Sequence, residues 1–182
     1  HGRLDLYGAM LKAIARDAGE TPHDIVFLGD YVDRGPESAQ LLRRLMALET
    51  SEDAVACLAG NHERMLLDFL AAPEDGAQWL WIGGQETVMS FGLPPIRAMR
   101  DVGGERALDE AAADLAEALG AELGAWLAAR PLWWRSGNLI AVHALTDPAA
   151  PMEAQDDETL IWARPGRAFA PRADGAWVVH GH

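Results

Sequence analysis

Two short polar clusters in the first third of the chain carry side chains that could bind metal or phosphate. The first, Gly29-Asp30-Tyr31-Val32-Asp33-Arg34-Gly35-Pro36, places two carboxylates and a guanidinium in one short stretch. A carboxylate has two oxygens with which to bridge cations, and the planar arginine fork fits phosphate oxygens. A charged turn closed by a surface salt bridge has the same composition, so this cluster alone leaves both interpretations open.

The second cluster is Gly60-Asn61-His62-Glu63. The Asn61 carbonyl oxygen and the His62 imidazole suit a borderline metal ion or acid–base chemistry. Asparagine is also a strong helix cap, so the same residues are compatible with a helix start and nothing more.

Further histidines are scattered along the chain. His1 opens it, His143 follows the apolar run 139–142, and His180 and His182 close it. Each histidine taken alone is typical of a surface or core position.

The elements that must position these residues follow from hydrophobic periodicity. Strands are predicted at 24–28, 54–59, 132–135, 139–142 and 177–180, and helices at 4–18, from Pro36 onward, from His62 onward and at 106–129. Both polar clusters directly follow a strand, which is where α/β folds bind ligands. The alternation of strand and helix predicts an α/β fold.

Composition limits the partners. The 182 residues are 49% hydrophobic, which fits one domain, and the net charge of −13 disfavours nucleic acid. No apolar run is long enough to cross a bilayer, so we expect no membrane span. The single cysteine, Cys57, lies in an apolar run and favours a reducing, cytoplasmic location. We expect a monomer.

Together, the clusters and histidines resemble the metal-dependent phosphoprotein phosphatases, within the calcineurin-like phosphoesterases. That family has Gly-Asp-x-His-Gly, Gly-Asp-x-x-Asp-Arg-Gly, Gly-Asn-His-Glu, a strand-end histidine and Gly-His, in that order. His1-Gly2 matches the tail of the first motif, and residues 29–35 and 60–63 match the next two in full. His143 and Gly181-His182 match the last two, so the resemblance covers nearly the whole chain.

The resemblance implies a layered α-β-β-α sandwich of two mixed sheets flanked by helices. It further implies a single metallophosphoesterase domain over residues 1–182, with an inserted helical cap at roughly 73–130. The chain starts inside a motif and ends where the family usually continues. We therefore expect the natural protein to extend beyond both ends.

The resemblance also implies two divalent metal ions that share Asp30 as a bridging ligand. One ion would take Asn61, His143 and His182, and the other would take His1 and an aspartate two places before it. Mixed oxygen and nitrogen donors favour Mn²⁺, Fe or Zn²⁺ over Ca²⁺. Mn²⁺ is the expected ion, because it is the commonest activator in the bacterial branch of the family.

The implied reaction is hydrolysis of phosphomonoesters on phosphoserine and phosphothreonine proteins, with small phosphoesters as further substrates. A metal-bridging hydroxide would attack phosphorus in line with the leaving group. Arg34 and Arg164 would hold the phosphate oxygens, with Asn61 beside them. His62 would protonate the leaving alkoxide, and Asp33 would hold the imidazolium.

Two segments are similar to the bacterial and bacteriophage-type serine/threonine phosphatases of this family. Residues 79–92, which contain Gly83-Gly84 and Ser90-Phe91-Gly92, resemble the cap of that branch. Residues 159–164 resemble its tryptophan-x-arginine element, and this match is what assigns Arg164 to phosphate binding.

Two alternatives accompany this interpretation. Symmetrical diadenosine tetraphosphatases share the metal motifs, but the Tyr31-Val32-Asp33 form favours the phosphatases. A degenerate domain would bind a phosphorylated partner without turnover. That alternative is supported only by the aspartate missing before His1 and by the segment after His143, which lacks the family's usual glycine.

Overall fold

A parallel pair of strands places the two polar clusters side by side. The structure, a computed structural model, describes residues 1–96, 104–164 and 170–182. Strand β1 (Ile25–Phe27) pairs with β2 (Val55–Cys57) in a register that sets Phe27 opposite Cys57. Because both strands run in the same direction, the loops after their carboxyl ends leave from one edge and meet there.

Three helices flank this pair, as the periodicity predicts. They are α1 (Leu4–Ala18), α2 (Ser38–Ser51) and α3 (Asn61–Ala71). Helix α2 begins at Ser38 rather than at Pro36, and the N–H of Glu37, just before it, donates to the Gly2 carbonyl oxygen at 3.0 Å. This bond ties the start of the chain to the first polar loop.

The described part of residues 73–130 is helical, as predicted. It contains α4 (Pro73–Gly76), a π-type turn (Leu80–Gly84), α5 (Gln85–Ser90), α6 (Gly104–Leu119) and α7 (Ala121–Ala128). Residues 97–103 of the predicted cap lie outside the described residues. The single helix predicted at 106–129 is wrong. Gly120, at φ 80°, breaks it into α6 and α7, because only glycine adopts that backbone conformation readily.

The second sheet has the strand order β3 (Trp133–Ser136), β4 (Leu139–Val142), β5 (Trp177–Val179). β3 and β4 form an antiparallel hairpin, and β4 pairs with β5 in parallel, so this sheet is mixed. Helix α8 (Asp157–Trp162) is capped by Asp156, which accepts a hydrogen bond from the Thr159 N–H. The predicted α/β fold with two sheets is confirmed; in the described residues the first sheet is a parallel pair.

Two hydrophobic clusters stabilise these layers. The larger packs α2 and α3 against α6 and α7, with Leu42, Phe69, Leu115 and Leu127 all buried. The smaller lies between the second sheet and α8. Helices α6 and α7 therefore share the main core, while the assignment of residues 73–130 as a cap inserted into a single domain stays a prediction. Within the described ranges, no helix combines the length and apolar character that crossing a membrane requires.

Candidate metal and phosphate site

The first polar loop has a strained backbone. Asp30, Asp33 and Arg34 have φ values of 58°, 72° and 62°, and His182 has 61°. Among the described residues these are the non-glycine positions with positive φ, and all four are predicted site residues. Such conformations cost about 1–3 kcal/mol each and persist only where the surroundings impose them.

Glu63 supplies much of that constraint. Its carboxylate is fully buried and accepts hydrogen bonds from the backbone N–H groups of Asp30 (2.8 Å), Tyr31 (2.7 Å), Val32 (3.2 Å) and Gly60 (2.8 Å). Burial raises the pKa of Glu63, with the nearby Asp30 charge acting in the same direction and the backbone bonds opposing them. From its spacing alone, Glu63 has no assigned chemistry beyond a supporting or helix-start role. The structure shows that it joins the two polar loops.

Two glycines allow these loops to approach closely. A Cβ on Gly60 would lie 2.5 Å from Asp30 Oδ1, and one on Gly29 would lie 2.5 Å from the Gly60 nitrogen. Side chains do not tolerate such distances, so the motif requires glycine at both positions for steric reasons.

Asp30, Asn61, His143 and His182 converge on one point. His143 Nε2 lies 3.4 Å from Asp30 Oδ1, 3.0 Å from Asn61 Oδ1 and 3.2 Å from His182 Nδ1. His143 Nδ1 donates to the Leu28 carbonyl oxygen at 2.7 Å, which leaves Nε2 of the neutral ring as the inward lone pair.

This donor set fits a divalent cation. The Asp30 carboxylate, the Asn61 side-chain oxygen and the imidazole nitrogens of His143 and His182 face one another, which is the mixture of oxygen and nitrogen donors that a divalent metal ion takes. The pKa of His182 is lowered, first by its partial burial and then by His143 beside it. Both effects favour the neutral, metal-binding form.

A second group of possible ligands lies on the other side of Asp30. One nitrogen or oxygen atom each from His1, Asp30 and His62 falls within 4.8 Å of the others. His1 Nδ1 lies 2.8 Å from the Val32 carbonyl oxygen, and its Nε2 lies 3.4 Å from Asp30 Oδ2. Asp30 is the one residue shared by both groups, as a bridging ligand would be.

His62 has a different principal partner, Asp33. Its Nδ1 lies 2.5 Å from Asp33 Oδ2, and both side chains are buried. The guanidinium of Arg34 donates to His62 Nε2 at 3.1 Å and to His1 Nε2 at 3.2 Å. Arg34 therefore lies between the buried His62–Asp33 pair and the ligand cluster.

The two predicted phosphate arginines are both exposed, but the structure places them differently. Arg34 contacts site histidines directly, whereas Arg164 follows α8 and acts on the site through its charge. That charge is a smaller contributor to the lowered pKa of His182, after burial, His143 and an opposing effect of Asp30.

Two residues of the site were not predicted. Trp79 Nε1 donates to Asp33 Oδ2 at 2.8 Å, and the Thr87 hydroxyl donates to Asp33 Oδ1 at 2.7 Å. Both residues lie in the segment singled out for its resemblance to a cap. Nothing in their spacing indicated that they face a carboxylate, although a buried tryptophan N–H usually requires an acceptor.

The geometry places a cation-binding cluster, an exposed guanidinium and a buried imidazole–carboxylate pair within contact distance of one another. These are the parts that a metal-assisted phosphoester hydrolysis needs.

Comparison with known proteins agrees with this chemistry. The sequence profile of the calcineurin-like phosphoesterases matches residues 1–182, the whole chain.

Two curated proteins match a shorter stretch. The serine/threonine-protein phosphatase 6 catalytic subunit of Drosophila melanogaster is 36% identical over 63 residues, which is 32% of this chain and 21% of that protein. The serine/threonine-protein phosphatase PP1-1 of Saccharomyces cerevisiae is 42% identical over 64 residues, with the same coverage of 32% and 21%. The match thus spans about a fifth of the length of each relative.

Proposed function

The chain belongs to the calcineurin-like phosphoesterase family, and from that premise we propose that it is a metal-dependent phosphatase acting on phosphoserine and phosphothreonine proteins. The family is dimetal-dependent, and this chain has the ligand residues described above. The specific substrate class is the part that we infer.

The observation that carries this proposal is the buried His62–Asp33 pair beside Arg34. A serine or threonine alkoxide is a poor leaving group, so its departure depends on a proton donor. The 2.5 Å contact to Asp33 orients the His62 ring, and Nε2, which accepts from Arg34 in this structure, would carry the proton that passes to the leaving group. This is the arrangement of a general acid.

Arg34 binds and orients the substrate in this proposal. A phosphate oxygen is a stronger acceptor for a guanidinium than a neutral imidazole, because the hydrogen bond is charge-assisted on both sides. Substrate binding would therefore draw the Arg34 fork away from His62 Nε2 and onto phosphate. Arg164 would approach from the α8 side, with Asn61 beside the same oxygens.

Two divalent ions held by His1, Asp30, Asn61, His143 and His182 would supply Lewis acidity and lower the pKa of water. The mixed imidazole, amide and carboxylate donors are compatible with Mn²⁺, Fe or Zn²⁺. We propose Mn²⁺ as the native ion, because it is the commonest activator in the bacterial branch that the chain resembles.

The two relatives support the serine/threonine preference, since both are serine/threonine-protein phosphatases by name. The resemblance of residues 79–92 and 159–164 supports assignment to the bacterial branch. A cytoplasmic location is supported by the single cysteine, which lies buried in β2.

The test is hydrolysis of three substrates by the protein, with and without added Mn²⁺, beside an Asp30→Asn control. The substrates are p-nitrophenyl phosphate, a phosphoserine peptide and diadenosine tetraphosphate. We expect Mn²⁺-dependent release of phosphate from the first two, lost in the control.

Each other result has a distinct meaning. Cleavage of the dinucleotide without action on the peptide would replace this proposal with the symmetrical diadenosine tetraphosphatase. Binding of the phosphopeptide with no turnover on any substrate, despite bound metal, would identify a non-catalytic phospho-binding domain.

A further inference from the structure

We propose that Trp79 and Thr87 are positioning residues that hold the Asp33 carboxylate in the orientation His62 needs to donate its proton. This inference rests on the proposed function, because it concerns the proton donor of that reaction. Neither residue has a contact with the metal-ligand cluster among the described bonds, so both would act through Asp33.

Thr87 binds Asp33 at two points. Its hydroxyl donates to Asp33 Oδ1 at 2.7 Å and accepts from the Asp33 backbone N–H at 2.8 Å. Accepting from the backbone fixes the hydroxyl, so its single proton is directed at the carboxylate. Thr87 is fully buried, and the Ser38 hydroxyl, also buried, lies 3.3 Å away. Water has no access to compete for these groups.

Trp79 binds the other carboxylate oxygen. Its indole N–H reaches Asp33 Oδ2 at 2.8 Å, the same oxygen that His62 Nδ1 approaches at 2.5 Å. The ring packs against Phe69, with a centroid separation of 5.2 Å, and is 1% exposed. A ring held this rigidly can serve as a fixed donor.

The turn between Trp79 and Thr87 packs closely against the loop that contains Asp33 and Arg34. Gly83 (φ 129°) accepts a hydrogen bond from the Arg34 N–H at 3.1 Å, and a Cβ there would lie 2.8 Å from Arg34 Cγ. A Cβ on Gly84 would lie 2.5 Å from the Trp79 ring. Residues 79–87 therefore form a closely fitted backing for Asp33 and Arg34.

These contacts determine how Asp33 can act. Three side-chain donors divide between its two oxygens, so rotation of the carboxylate would break at least two hydrogen bonds in a buried site. With the carboxylate fixed, the Nδ1 contact holds the His62 ring so that Nε2 faces the leaving group. Loss of Thr87 or Trp79 hydrogen bonding should relax the ring and weaken proton donation specifically.

The chain offers a matched control for a merely structural role. Trp126 Nε1 donates to Glu49 Oε2 at 2.7 Å, an indole–carboxylate bond of nearly the same length. It lies where α7 meets α2, outside the site. Replacing either tryptophan by phenylalanine deletes one such bond and keeps an aromatic ring.

The experiment compares wild type, Thr87→Val, Thr87→Ser, Trp79→Phe and Trp126→Phe, each with Mn²⁺. Rates are measured on a phosphoserine peptide, whose leaving group needs a proton, and on p-nitrophenyl phosphate, whose leaving group needs little help. We expect Thr87→Val and Trp79→Phe to lower kcat on the peptide by about tenfold or more, part of the roughly 10²–10⁴-fold that a general acid supplies. On the aryl phosphate we expect losses below about threefold, because protonation contributes little there.

Thr87→Ser should recover most of the peptide rate, because it keeps the hydroxyl, and Trp126→Phe should change both substrates equally. A second measurement needs no turnover. The short His62–Asp33 contact predicts a strongly downfield imidazole N–H resonance, assigned by its loss in His62→Asn, which Thr87→Val should shift upfield.

Equal losses on both substrates in Thr87→Val, or an unshifted resonance, would overturn the positioning role while leaving the phosphatase function in place. If the wild type hydrolysed neither substrate, the proposed function would fail and this role with it. If Trp79→Phe does not fold, the comparison of Thr87→Val with Thr87→Ser is enough to test the positioning role, because valine and threonine have the same shape.

Discussion

Two parts of the proposed site share one loop but differ in how they are built. They are the His62–Asp33 pair, here called the pocket, and the candidate metal ligands around Asp30, here called the cluster. His62 and Asp33 are 2% and 0% exposed and are enclosed by core residues from α3 and from segment 79–87. On the ligand side, His182 is exposed and the His1 side chain is 29% exposed, while His143 is buried. The pocket is interior, whereas the cluster opens to solvent.

The difference lies in what satisfies the polar atoms. In the pocket, every carboxylate oxygen of Asp33 meets donors supplied by the chain. In the cluster, the atoms of Asp30, Asn61 and His143 that face each other are mostly acceptors. The polar atoms of the pocket are therefore satisfied by the fold alone, while the donor set of the cluster is one that a cation would complete.

The largest effect should come from Asp30→Asn, which changes the one carboxylate shared by both ligand groups. Substitution of residues that merely support a metal ligand costs about 10–100-fold, so loss of this ligand should reduce activity on every substrate by more than about 100-fold. Metal content measured after dialysis should fall in parallel.

Asp30→Asn also tests whether the His62–Asp33 pair is independent of the metal-ligand cluster. Because Asp33 keeps its own donors, the downfield His62 resonance should persist in Asp30→Asn and in chelator-treated wild type. Its disappearance on metal removal would show that the pocket depends on the ion, contrary to the comparison above.

His62→Asn should have the next largest effect, and it should depend on the substrate. We expect kcat on a phosphoserine peptide to fall by about 10²–10⁴-fold, with a much smaller loss on p-nitrophenyl phosphate. Metal content should stay near that of wild type, since His62 is bound mainly to Asp33. Parallel losses on both substrates would refute the general-acid assignment.

Gly83→Ala should lower activity less than His62→Asn does, because it only displaces the Arg34 side chain. The new methyl group meets Arg34 Cγ at 2.8 Å and also forces alanine into positive φ. We expect roughly a tenfold rise in KM, because the phosphate fork is displaced, together with about 1–2 kcal/mol lost from the free energy of unfolding.

Gly92→Ala is the matched control for this change. Gly92 also has positive φ (85°), but a Cβ there meets no atom within 4 Å. It should lose similar stability and keep the wild-type KM. A raised KM in Gly92→Ala would mean that backbone strain, not contact with Arg34, causes the effect.

The smallest effect concerns the core beneath both regions. Burial raises the pKa of the Cys57 thiol to about 12, so the native thiol should not react with Ellman's reagent at pH 8 and should react fully in denaturant. The thiol of the unfolded chain ionises near its ordinary pKa of 9.0. Stability should therefore fall as the pH rises from about 9 to about 12, because only the unfolded state releases its proton there. Rapid labelling of the folded protein would contradict this burial.

Much of the fold and the site could be predicted from the sequence. The strands before each polar cluster were found because short β-rich runs ending in glycine are a local signal, as at Gly29 and Gly60. The ligand candidates were found because their residue types occur in family order. The break at Gly120 was missed because a glycine within an Ala/Leu/Glu pattern is compatible with either an intact or an interrupted helix.

Residue types and their order thus determined which side chains are candidates for chemistry: oxygen and imidazole donors, an arginine that could bind phosphate, and a histidine with a carboxylate. Only the tertiary structure decided that Glu63 joins the two loops and that Trp79 and Thr87 enclose Asp33. Thr87 lies 54 positions from Asp33 along the chain. Contacts between such distant residues depend on how helices and loops pack, and this packing leaves no local pattern in the sequence.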